Sequence, residues 1–322
     1  MRRAMQPSRK VRRVTLPRSP KTPMAHSIQA AFEPWTLPVP LDLVLILDAF
    51  LYLRGWIHLR IGRVNIIPAW RAGSFVLGLS LIWVAVGSPL SALDEQLLTV
   101  HMIQHLLLMT IAPPLILVGA PLMPLLHGLP RQFVQAVVSP LLRWPLLQWV
   151  GRVISNPVFC WLAAATALVG WHIPAAFTLG SQSETWHIVE HACFLGAGFL
   201  FWWPVVQPWP SVAVWPRWSI LLYLFFATIP CDILSGFLVF CDRVVYPVYL
   251  SAPRQFGISA LEDQQCAAAL MWTCVTIIYL IPAMILTTQL LAARSSQEDN
   301  LGQEELPGTL DPRRDPQTVE AA

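Results

Sequence analysis

Long apolar runs alternate with short polar breaks along the chain, and the runs have the length of a membrane-spanning helix. About 20 apolar residues in helical conformation cross the roughly 30 Å of bilayer hydrocarbon. Seven windows meet that requirement: 38–56, 70–90, 97–118, 157–179, 184–206, 218–240 and 264–291. The first is the weakest, because it opens with Pro38 and Pro40 and carries Asp42 and Asp48. The third contains Pro113 and Pro114, which lack backbone donors and are expected to kink or end the helix. In the seventh, Ala267, Ala268 and Ala269 are small enough for a neighbouring helix to approach closely. The pattern predicts an all-α fold: a polytopic transmembrane helix bundle of about seven helices over 38–293. It is flanked by an N-terminal segment, 1–37, and a polar, Pro-containing tail, 294–322, both expected to be disordered.

Composition agrees. Of 322 residues, 55% are hydrophobic and 12% charged, against about 25% charged in a soluble domain. Fifteen tryptophans suit helices anchored at membrane interfaces. The six cysteines form no C-x-x-C pair and report no disulfide framework. The composition points to a cell (inner or plasma) membrane, with lipid as surroundings and no nucleic-acid partner.

Loop charge sets an expected orientation, because short loops rich in Lys and Arg stay cytoplasmic. Arg54, Arg60, Arg63 and Arg71 follow the first window, Arg131, Arg143 and Arg152 the third, and Arg217 the fifth. The alternate loops hold only Arg243 and Arg254. Seven helices then place the N-terminus outside and the C-terminus in the cytoplasm. The basic leader opposes this arrangement: residues 1–23 are rich in Lys and Arg yet contain no apolar signal-peptide core. Translation from Met24 is the expected resolution.

Within this frame, five of the eight histidines fall at one depth. At a rise of about 1.5 Å per residue, His101 and His105 lie roughly 6 and 12 Å below the outer end of their helix. His172, His187 and His191 come to the same slab on the next two helices. Both close pairs are spaced i, i+4, which turns two imidazoles to one helix face, the spacing by which one helix offers two ligands to a metal. Glu190, adjacent to His191, is placed to orient an imidazole. Asp48, Asp232 and Asp263 reach the slab, as do the sulfur groups of Met102, Met109, Cys193, Cys266 and Met271. Imidazole combined with sulfur suits copper. A lone intramembrane histidine is often only a hydrogen-bonded packing residue, but ionisable groups in a membrane more generally mark function. Two matched pairs on separate helices favour a metal site.

The stretches HMIQHLLLMTIAPPLILVGAP (101–121), WH (171–172), H-x-x-x-H followed by FWWPV (187–205), YPVY (246–249) and EDQQCAAALMW (262–272) resemble the CtaG-type cytochrome c oxidase assembly factors. The resemblance covers roughly residues 40–290. It implies a non-enzymatic membrane factor with a haem–copper oxidase subunit as client, a copper donor protein as a further partner, and copper as the metal handled. Its marked positions are His101, His105, His172, His187, His191 and Asp263, with Gln264 beside them. The metal ligands expected are those five histidines and Asp263, with Glu190, Gln264, Met102, Met109, Cys193 and Asp232 as accessory groups. Three rivals use similar residues. A membrane di-iron oxidase or desaturase needs more histidines, on the cytoplasmic side. His187-Ile188-Val189-Glu190-His191 reads formally as the H-x-x-E-H of a zinc protease. A bis-histidine haem carrier would want histidines at two depths.

Overall fold

The computed structural model describes residues 38–62, 67–208, 215–252 and 257–304; the leader and the Met24 start lie outside them. These residues are helical, with no strand among them. The chain enters through α1 (Val39–Ile61) and turns into α2 (Ala69–Ile82), which continues as a π-helical stretch, Trp83–Gly87. The span Leu98–Val118 is α3. Short helices follow: α4 (Leu122–Gly128), a helical run α5 over 131–143, and α6 (Pro145–Ile154). The second half of the bundle comprises α7 (Pro157–Trp171), α8 (Pro174–Gln182), α9 (Glu184–Val206), α10 (Arg217–Phe240) and α11 (Ala260–Glu304).

Among the described residues five helices are long and apolar enough to cross a membrane, or six if the bent pair α6–α7 forms one span. The expected seven windows differ from this in two places. Helix α1 has the length, but Asp42, Asp48 and Arg54 interrupt its apolar character. The window 157–179 is two helices, because the chain turns at His172–Ile173 and Pro174 opens α8. The C-terminal boundary also moves. Helix α11 continues through 294–304, where no proline interrupts helix formation, and 305–322 lie outside the described residues.

The bundle is apolar outside and polar within. Leu43, Ile46 and Phe50 on α1, Ile233 and Phe237 on α10, and Ile277 and Leu280 on α11 are exposed, whereas Gln104, Glu190 and Gln264 are buried. Such an arrangement is stable only where the surroundings are lipid, since polar groups then gain by facing inward. Helix α3 is the pillar, with 72% of its apolar window buried against 17% for α11; α2, α9 and α11 pack around it.

Pro113 and Pro114 do not end α3. A π-helical segment, Leu106–Ile111, precedes them, and both prolines fall in the first turn of the next helical segment, Ala112–Val118. Backbone donors of a first turn have no intrahelical acceptor, so proline costs little there. Helix α9 approaches this segment at Gly198, where an added Cβ would lie 2.6 Å from the Met109 carbonyl oxygen. That close approach brings the histidines of α9 to those of α3.

Candidate metal site

The five expected histidines converge. His101 and His105 rings are 4.2 Å apart, His187 and His191 also 4.2 Å, and His101 stacks on His187 at 5.7 Å. His105 lies 5.9 Å from His191 and 6.2 Å from His172. His58 and His127 instead line a separate cleft with Arg54 and Arg131; His26 lies outside the described residues.

Two carboxylates complete the layer. Glu190, 1% exposed, places Oε1 3.5 Å from Nε2 of both His101 and His105. Asp94, from the turn before α3, places Oδ2 3.4 Å from Nε2 of His187. Two triads result, each with ligand atoms within 4.8 Å of one another: Asp94–His101–His187 and His101–His105–Glu190. These contacts are longer than good hydrogen bonds. They match the separation of about 3.3 Å between ligands placed tetrahedrally around an ion at 2.0–2.1 Å. Nε2 of His101, both ring nitrogens of His105, Nε2 of His187 and of His191, both oxygens of Glu190 and Oδ2 of Asp94 are buried without a hydrogen-bond partner. An orphaned buried polar atom costs about 1–3 kcal/mol, so a cluster of eight requires an explanation, and a bound cation supplies one. The donor set therefore fits a metal ion.

Asp94 is the residue that sequence reasoning missed. Burial pushes its carboxyl up to about 6, partly offset by His101. The signal available was an acid in the one loop that precedes HxxxH, but only the fold brings residue 94 to residue 187.

His172 is held differently. Its Nδ1 donates to the Leu168 carbonyl at 2.7 Å, which leaves Nε2 as a lone pair facing Met102 Sδ at 3.4 Å. A thioether cannot donate, so two acceptors face each other, one of them soft. They border a cavity of ≈ 40 Å³ that is also lined by His105, Met109, Cys231 and Met271. His191 borders the layer but belongs to neither triad.

Four expected participants lie elsewhere. Asp263 is no ligand: its Oδ2 accepts from Leu98 N at 2.7 Å and its Oδ1 from Thr99 N at 3.1 Å and the Thr99 hydroxyl at 2.6 Å. Residue 97 is a leucine and caps nothing, so Asp263 of α11 caps α3 from across the bundle. Cys193 is exposed on the outer side of α9. Asp232 is half-buried on α10, outside both triads. Gln264 does not join the layer either. Its Oε1 accepts from Val245 N at 2.7 Å, and its Nε2 donates to the carbonyls of Leu238 and Arg243. The loop so fixed carries Tyr246 and Tyr249, whose hydroxyls donate to the carbonyls of His172 and Asp94, both at 3.0 Å.

Fold and cluster together define a polytopic α-helical membrane protein with an internal histidine–carboxylate site. The family model of the cytochrome c oxidase caa3 assembly factor (Caa3_CtaG) matches residues 50–293, and the chain belongs to that family. Two uncharacterized proteins, from Mycobacterium bovis and Mycobacterium tuberculosis, are each 25% identical over 248 residues, covering 74% of this chain and 36% of theirs. The chain thus spans about a third of the length of these curated relatives. No solved structure matches significantly.

Proposed function

We propose that this protein is a non-enzymatic assembly factor that binds copper in the histidine layer and passes it to a haem–copper oxidase subunit, after receiving it from a donor protein. On this reading the layer lies near the outer face of the cell's plasma or inner membrane, with α1 counted among the spans. The observation that carries the proposal is the set of orphaned imidazole and carboxylate atoms at metal-ligand separation. The lone pairs of Met102 and His172, facing one another, favour a soft ion and hence copper. The H-x-x-E-H reading is disfavoured by geometry. Glu190 turns away from its own motif toward the histidines of α3 and is sealed in the bundle, where no peptide substrate reaches it.

Metal analysis after Cu(I) loading tests the proposal. Wild-type protein is expected to retain copper and the His101→Ala/His105→Ala variant to lose it. A wild type that retains none removes the reading. In cells, loss of the protein should leave oxidase polypeptide present but short of copper.

A further inference from the structure

We propose that the two triads are successive stations on one path for a single copper ion, with His101 as the ligand common to both. This rests on the copper reading above and adds a direction and a stoichiometry to it.

The stations differ in access. Asp94, His101 and His187 line a cleft of ≈ 380 Å³ whose walls also carry Glu95 and Glu184, an acidic approach that concentrates cations. The His187 side chain is 27% exposed where it lines the cleft, while its Nε2 and Asp94 Oδ2 are themselves buried, so a donor reaches this station through the cleft. His105 lines only the inner cavity, and Glu190 is walled off by α8, where an added Cβ at Gly180 would lie 2.6 Å from its Oε2. His101 alone belongs to both triads.

The stations are matched in charge. Each supplies two imidazoles and one carboxylate. Passage inward breaks the bonds to Asp94 oxygen and His187 nitrogen and forms bonds to His105 nitrogen and Glu190 oxygen, while His101 stays bound. Two bonds break and two form, and the ion keeps its oxidation state. The ion therefore meets no change in ligand charge. What changes is solvent access, which makes the cleft station quick to exchange and the buried station slow. Two ions together would have to share one imidazole at a separation where their repulsion is weakly screened. The path therefore holds one ion at a time.

Stopped-flow Cu(I) uptake by the full-length protein in detergent, followed by removal with an excess of chelator, separates the stations. Asp94→Asn and His187→Ala are expected to slow uptake at least tenfold while changing the final occupancy less than about threefold. Glu190→Gln and His105→Leu are expected to keep rapid uptake but release copper to the chelator at least tenfold faster. Wild-type protein should bind one copper per chain. Two coppers per chain, or cleft and buried variants with the same kinetic defect, overturn the relay while leaving copper binding intact. Absence of copper from the wild type overturns both. Glu190→Gln keeps the size and shape of the side chain, so its result stands even if His105→Leu fails to fold.

Discussion

Two buried polar regions lie within one helical turn of each other along α3, and they are built on opposite rules. At its start, Asp263 and Gln264 use their side-chain atoms fully, in hydrogen bonds to backbone groups of α3, α10 and the loop beyond α10. A few residues further in, the histidine–carboxylate layer holds eight polar atoms with no hydrogen-bond partner. A paired buried group contributes to stability, whereas an unpaired one costs it. The first region is there to hold the bundle together. The second costs stability as it stands, which is what sets a candidate ligand site apart from a structural network.

The contrast can be broken from either side. Asp263→Ala strips the cap from α3 and orphans two backbone donors, the N–H groups of Leu98 and Thr99, with an expected loss of about 3 kcal/mol; thermal unfolding in detergent measures it, and Asp263→Asn should cost less. A change in metal affinity without loss of stability would reassign Asp263 to the site. Glu190→Gln is expected to do the reverse. It should weaken copper retention on the order of 100-fold, about 2.7 kcal/mol, with unfolding unchanged, because the group it alters was unpaired. Gly180→Ala presses a methyl group against Glu190 Oε2 and should cost roughly tenfold in affinity, about 1.4 kcal/mol, by competitive titration. Acid should weaken binding at both stations, since ligand nitrogens and oxygens must be deprotonated to coordinate; copper retention measured across pH tests this. Cys193→Ser, on the exposed side of α9, should change neither quantity.

Some of this was legible in the chain and some was not. The spans 184–206 and 218–240 are continuous apolar runs, and the helices match them to within a residue. The histidine layer was also legible, because i, i+4 spacing and distance from a helix end fix face and depth without knowledge of neighbours. Asp94 and Asp263 were not. Each is an acid at a helix mouth, and the difference lies in what the fold sets opposite: an imidazole for Asp94, a row of uncapped N–H groups for Asp263. Cys193 shares a helix with the histidines but not their face. Helical position counts there, and proximity in sequence misleads.

The π-helical segment Leu106–Ile111 sits between the two imidazoles of α3 and the rest of that span. A helix turns about 100° per residue, and this wide turn takes up one residue more than a regular turn without rotating what precedes it. Were the segment to rewind as regular α-helix with every residue kept, His101 and His105 would swing by about 100° away from α9. The chain would still read as a membrane span, yet its imidazoles would no longer meet those of α9. The winding between Leu106 and Ile111 thus sets an aim that no hydropathy profile would register.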